Sequence, residues 1–317
     1  ITALKVRDVS EFEAEYIGIS RFDDRLGYVP REGAPGWTNV KVTITNDGFR
    51  LNNVEMEPRI SEVLVVGDSS TFGDQVSNPE TWPACLEKKL NRGVDNGGVF
   101  GYGAAQALKR ASLKLGEKNY CSLVFSVWLD SKHDDFERDR FSYRDGFAKP
   151  ALVRTDEGIE WSAVSDPNQP GTKYNPSKPN FYERFLKLAY ERVTMLAFVV
   201  DRSMGPGIFL RDDLTIEHPK AADKDVIIEW TLKEFSHLKI YNKILLLQYN
   251  SDGLTDSEVL AKRAMILKIA SALSLKIVDT LNVLAKYEPQ KLWAGHHTPY
   301  GNEVVCEYLF ERGFRRP

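Results

Sequence analysis

The chain has 317 residues, enough for two average domains or for one α/β domain with insertions, and it is 42% hydrophobic, 27% charged and 11% aromatic, as expected of a folded protein. Its 45 acidic and 42 basic residues leave a formal net charge of -3 spread along the chain, so no single-sign field is available to hold a polyanion and nucleic acid is not an expected partner. The longest apolar runs, such as Met195 to Val200 and Ile244 to Leu247, fall far short of the ~18 residues a spanning helix needs, so the chain reads as soluble and without a membrane span.

In chain order, residues 1–58 read as a β-rich extension. Within it, Val40 to Phe49 carries an Asp47-Gly48 turn signal between alternating residues, a hairpin pattern suited to covering a sheet edge. Ile60 to Val66 is a short β-branched run ended by Gly67-Asp68, the pattern of a buried parallel strand delivering a loop at its carboxyl end. Pro79 to Leu90 follows Ser77-Asn78 and places Trp82, Leu86 and Leu90 on one helical face. A short strand over Val94 to Gly97, a helix from Ala104 to about Leu115 and a third strand over Cys121 to Leu129 come next.

Residues 136–221 interrupt this alternation and read as a long insertion, a candidate lid or substrate wall. It holds a hairpin (Ala151 to Val153, a turn at Asp156-Glu157-Gly158, Ile159 to Trp161) and a helix from Asn180 to about Arg202. Beyond it the strand Lys243 to Tyr249, a helix from Asp256 to about Leu273, the strand Leu275 to Val278 and a last helix from Gly301 to Glu311 resume the pattern. The expected fold is therefore a single α/β domain. Residues 59–135 and 222–317 form a parallel sheet with helices on both faces, and the active site lies beyond the carboxyl ends of the strands. Cys85, Cys121 and Cys306 lack metal-ligand spacing, and their odd number speaks against a complete disulfide framework, so they read as small core residues.

Chemistry centres first on Ser69. A serine at a strand-to-helix turn exposes its hydroxyl and leaves its own backbone N–H free for an oxyanion, which is what acyl transfer asks of a nucleophile. The alternative is that Gly67-Asp68-Ser69-Ser70-Thr71 only caps a helix or binds a phosphate. The run Gly67 to Gly73 resembles the first block of the SGNH/GDSL hydrolases. A bacterial subgroup of that family is also resembled by Asp24 to Tyr28, Gly48-Phe49-Arg50 and Glu80-Thr81-Trp82-Pro83-Ala84, and the likeness spans nearly the whole chain.

That resemblance implies a three-layer α/β/α, flavodoxin-like parallel sheet, with Ser69 as nucleophile and its N–H as one oxyanion donor. Asn96 to Gln106 resembles the second block, which makes Gly101 another donor; a glycine there lets backbone approach substrate without a Cβ clash. The third block normally supplies an asparagine. Here Asp134 holds the matching position with His133 beside it, and an ionised carboxylate cannot donate a hydrogen bond. A proton shared with Asp135, or His133 itself, would have to serve; the alternative is that both aspartates are solvated or pair with Arg138 or Arg140.

Ala294 to Asn302 resembles the segment before the last helix that carries the general base, and His296 takes the histidine position, with His297 left to pack or to face substrate. The aspartate that orients the imidazole in the family falls at Ala294, so the triad acid is absent from its usual place. Either a Ser-His dyad operates with another group orienting His296, or activity is much reduced.

The implied function is an ester hydrolase acting through an acyl-enzyme on a small-molecule or saccharide ester, an acetyl ester first, with no cofactor and no metal. Trp161, Tyr174 and Tyr182 offer aromatic surface for a sugar or simply pack. Three other readings remain: an O-acyltransferase of the same fold, a binding module that has lost its chemistry, and a metal-dependent hydrolase built on His133, Asp134, Asp135, His296 and His297. Because the sequence starts at Ile1, a signal or anchor removed ahead of it would give an extracytoplasmic location; localisation and oligomeric state stay open.

Overall fold

The computed structural model describes residues 19–33, 40–52, 61–131, 134–139, 143–144, 147–164 and 222–315. The chain divides into two compact units, Ile1–Ser165 with Ala221–Pro317, and Asp166–Lys220. The second unit, and with it the expected helix from Asn180 to Arg202, lies outside the described residues.

The first unit begins with an antiparallel hairpin of β1 (Ser20–Asp23) and β2 (Gly27–Pro30). The expected Asp-Gly hairpin narrows to one bridge, Ile44 with Arg50, closed by Gly48 N–H to Thr45 O and Thr45 N–H to Phe49 O at 2.9 Å each. The core then alternates: β3 (Ser61–Val66), the one-turn helix α1 (Ser69–Phe72), α2 (Trp82–Leu90), β4 (Gly93–Asn96), α3 (Ala104–Glu117), β5 (Ser122–Leu129) and the short α4 (Asp135–Arg138). Two small hairpins follow, β6 (Tyr143–Arg144) with β7 (Phe147–Ala148), and β8 (Leu152–Thr155) with β9 (Gly158–Trp161). The core resumes with α5 (Lys224–His237), β10 (Asn242–Tyr249), α6 (Ser257–Ala272), β11 (Lys276–Asp279), α7 (Leu281–Leu284) and α8 (Pro289–Leu292). It ends with a tight hairpin, β12 (Trp293–Ala294) and β13 (His296–His297), and α9 (Pro299–Leu309), which runs on into a π-helical turn, Phe310–Phe314.

The five central strands lie in the order β11-β10-β5-β3-β4, all parallel. Counted along the core this is the 2-1-3-4-5 order of flavodoxin-like sheets, whose switch point falls between β3 and β5. β5 and most of β10 are buried, as a strand covered on both faces must be. On one face α2 packs with α9; on the other α3 and α6 both pack with α5, giving the three-layer α/β/α fold that the resemblance implies. β4 is a sheet edge, and the N-terminal segment covers part of it through Arg50 N–H to Asn96 O at 3.0 Å.

Three local expectations change. The helix expected from Pro79 is split: Ser77 and Glu80 close a capping box around a single 3-10 turn, and Thr81 then caps α2. α5 escaped the sequence reading, although Ile227, Ile228, Thr231, Leu232 and Phe235 recur at helical spacing and are buried. The cysteine expectation is corrected, because α2 lies along α9 and brings Cys85 and Cys306 into a disulfide with Cα atoms 6.1 Å apart, while Cys121 stays free and exposed. No described helix is long and apolar enough to cross a membrane.

Candidate active site

The loop after β3 carries Ser69 to the switch point. Asp68 is the N-cap of α1: its Oδ1 accepts from Ser70 N–H at 2.9 Å and from the Ser70 hydroxyl at 2.6 Å, which fixes the turn that starts the helix. Ser69 is therefore the first helical residue, where a backbone N–H has no acceptor within its own helix. The loop after β4 is laced to this turn. Val99 N–H reaches Gly67 O at 3.0 Å, and Asn96 bridges the two loops by donating to Thr71 O at 3.1 Å and accepting from Gly98 N–H at 3.1 Å. Only glycine fits at position 98, because a Cβ there would run into the backbone of Thr71 and Phe72. Gly101 closes the same loop in the left-handed conformation, at φ 73°.

Beneath the serine lies a buried charge cluster. Arg138 Nη1 stands 2.9 Å from Asp135 Oδ1, 3.3 Å from Asp68 Oδ2 and 3.3 Å from Tyr102 O. Burial works against its charge, but Asp135 and Asp68 outweigh that and raise its pKa. Burial likewise pushes Asp135 well above the usual carboxylate range, with Asp68 adding to the effect and Arg138 opposing it. Asp139 caps α3 by accepting from Ala105 and Gln106 N–H at 2.7 and 3.1 Å, and burial raises it to about 6. Lys149, fully buried, donates to Arg138 O at 2.8 Å.

Asp134 accepts from Phe136 N–H at 2.9 Å and forms a buried ion pair with Lys262, with Lys224 Nζ at 3.9 Å. In these contacts it serves as an acceptor, anchoring the loop after β5 to α6. Nothing in them supplies a proton that Asp134 could donate to an oxyanion. His133, the other candidate donor, lies outside the described residues.

The histidine expected as the base comes from the opposite end of the chain. Gly295, at φ 93°, turns the β12–β13 hairpin and sets Ala294 opposite His296. The His296 imidazole reaches Ser69, with Oγ to Nε2 at 2.7 Å, and its backbone N–H donates to Gln75 Oε1 at 3.0 Å. When Nε2 accepts the serine proton, the ring proton sits on Nδ1. On that side stands Asp74 Oδ1 at 3.3 Å, from a residue the sequence reading did not single out. Its only signal was its place, one residue beyond the glycine that ends α1.

His297 turns inward. It is 2% exposed, T-shaped to Trp128 with ring centroids 5.2 Å apart and stacked on Trp293 at 6.0 Å. Burial, then the neighbouring His296, lowers its pKa to about 3, and the Leu292 carbonyl pulls the other way without a well-aligned hydrogen bond. It packs and stays neutral. Of the three aromatics considered for a sugar surface, Trp161 packs on Trp230 with Lys109 over its ring at 4.7 Å, while Tyr174 and Tyr182 lie outside the described residues. Among the described residues no three His, Cys, Asp or Glu side chains converge to hold a metal ion.

No protein-family model matches the sequence, and neither does any curated protein. Solved structures similar to it include an α/β hydrolase from the metagenome of Lake Arreo, Spain, at 12% identity and TM-score 0.44, covering 81% of this chain and 96% of that one. Another is a protein assigned to the lipolytic G-D-S-L family from Desulfitobacterium hafniense, at 15% identity and TM-score 0.41, covering 78% and 97%. A catalytic mutant of an acetylxylan esterase from Geobacillus stearothermophilus stands at 11% identity and TM-score 0.41, covering 82% and 98%. At this level the likeness is one of outline and says nothing of chemistry. The chain's own structure has the three-layer fold that the SGNH/GDSL resemblance implies, with the serine and histidine of that resemblance in contact.

Proposed function

We propose that the chain is a serine-dependent ester hydrolase of the SGNH/GDSL type, acting on short-chain esters, acetyl first, of small-molecule or saccharide alcohols. One observation carries this reading: the 2.7 Å contact between Ser69 Oγ and His296 Nε2, made across 227 residues of sequence at the switch point of a parallel sheet.

In the proposed reaction Ser69 Oγ attacks the ester carbonyl carbon while His296 Nε2 takes the hydroxyl proton. The carbonyl oxygen becomes an oxyanion, held by the backbone N–H groups of Ser69 and Gly101. Collapse breaks the bond to the alcohol oxygen, which leaves with the proton from His296. Water, deprotonated by the same imidazole, then attacks the acyl-enzyme, releases the carboxylic acid and restores the Ser69 hydroxyl. Asp134 is engaged by Lys262, so the oxyanion rests on backbone donors alone in this scheme. The Cys85–Cys306 disulfide supports an extracytoplasmic setting, since such bonds persist where the environment is oxidising.

The test is hydrolysis of an acetyl aryl ester. Ser69→Ala is expected to lower kcat by about 10³-fold or more, and a fluorophosphonate should label the parent protein and not the variant. Full activity in Ser69→Ala would overturn the reading.

A further inference from the structure

We propose that Asp74 is the carboxylate that orients His296, so that the catalytic acid of this chain lies five residues after the nucleophile, in the loop leaving α1, rather than two residues before the base at Ala294. The inference rests on the Ser69–His296 reading and deepens it.

Asp74 Oδ1 is 3.3 Å from His296 Nδ1, on the side of the ring away from Ser69. That is an ion-pair spacing without a well-aligned hydrogen bond, and contacts of this kind at catalytic sites often align only when substrate binds. The Asp74 side chain is 4% exposed, so its carboxylate is screened by water less than a surface charge would be, while the imidazole it faces is 28% exposed. Ala294 is exposed at the hairpin tip, and its methyl group can neither accept the Nδ1 proton nor stabilise an imidazolium.

The loop is built to hold this carboxylate. Gly73 ends α1 at φ 80°, with its N–H on Ser69 O at 2.7 Å, and a Cβ there would strike Thr81. The left-handed turn sends the chain back toward the imidazole as soon as the nucleophile's helix is complete. Arg50, 1% exposed, then clamps the loop on both sides of Asp74: it donates to Phe72 O at 2.7 Å and also to the carbonyls of Gly73 and Val76. Burial lowers the guanidinium to about 10, opposed by the attraction of Asp74 and then Glu80. The same cation therefore fixes the backbone of the loop and favours a charged Asp74. Gln75, the next residue, accepts from His296 N–H at 3.0 Å, so two successive side chains of this loop grip the base residue. A structural loop needs none of this aimed at a histidine.

Asp74 acts through His296, so it is a positioning residue and its loss must show in turnover. In Asp74→Asn, kcat for an acetyl aryl ester is expected to fall by about 10²- to 10⁴-fold with KM nearly unchanged, as when a triad carboxylate is removed. The second arm relocates the acid. Ala294 pairs with His296 across the hairpin, which puts both side chains on one face, so Asp74→Asn/Ala294→Asp should regain 10-fold or more over Asp74→Asn.

The third arm needs no folded Asp74 variant. In the parent protein the His296 Nδ1–H should give a strongly downfield proton resonance, identified by its loss in His296→Gln. Parent-like kcat in Asp74→Asn, or a parent protein without that resonance, would overturn the assignment even while Ser69→Ala is inactive. Activity surviving in Ser69→Ala would instead sink the reading beneath it.

Discussion

The two sides of the candidate site are comparably buried and built from opposite materials. Under Ser69 the protein packs charge: Asp68, Arg138 and Asp135 in one line of contacts, with Lys149 and Asp139 adjoining. Behind His296 it packs neutral aromatic surface, with His297 between Trp128 and Trp293 and a disulfide joining the following helix to α2. The difference fits what the proposed reaction asks of each side. The nucleophile side has to hold a sharp turn and a hydroxyl aimed at the imidazole, and many directional bonds to fixed charges do that. The base side has to let an imidazole change its charge, and a neutral backing leaves Asp74 as the charge that answers it.

The comparison breaks first on pH. His297 sits near 3 in the folded chain and near 6.5 when unfolded, because burial disfavours its cation. A lowered histidine contributes stability that is present above pH 6.5 and is lost as pH falls toward 3, by at most about 5 kcal/mol. Urea melts between pH 7 and 4 should show His297→Phe losing less stability on acidification than the parent. Taking the difference between the two proteins cancels the contribution of Asp139, which runs the other way: a carboxylate raised to about 6 adds stability below pH 4 that fades as pH rises through 6. Equal acid slopes in the two proteins would mean that the base side is not neutral.

The charged side is tested by removing its cation. Arg138→Met leaves Asp68 and Asp135 buried without it, which costs about 3–5 kcal/mol for an orphaned buried ion. Arg138→Met/Asp135→Asn should recover part of that loss, because the desolvated charge goes with its partner. A melting curve for Arg138→Met that overlays the parent's would show the cluster to be incidental.

The two sides also differed in how legible they were. Ser69 and the glycine loop could be read because their geometry is local: a strand end, a cap and a tight turn leave marks on adjacent residues. His296 could be read from its family position, since nothing in its own neighbourhood points to Ser69. Asp74 was not legible. Its proposed role depends on the left-handed turn at Gly73 and on Arg50, whose Gly48-Phe49-Arg50 segment was recognisable as a likeness while its grip on the loop 22 to 26 residues away was not. Asp134 could be placed but not understood, because Lys262, its ion-pair partner, lies 128 residues on in α6. α5 shows a different failure, since its periodicity was present but followed a long stretch without clear pattern.

The disulfide gives the smallest effect and bears on both the base side and the setting of the protein. Cys85 and Cys306 are 221 residues apart, and their bond ties α2 to α9, the helix that begins two residues after His297. Closing so long a loop in the unfolded chain favours folding by about 2–4 kcal/mol, so Cys306→Ala should lower the melting temperature and should leave the Ser69–His296 pair working at moderate temperature. Thiol counting is the direct check: one free thiol, Cys121, is expected in the denatured, unreduced protein and three after reduction. Three thiols before reduction would remove both the bond and the support it lends to an oxidising setting, and the aromatic packing of His297 would then be left to hold the base hairpin by itself.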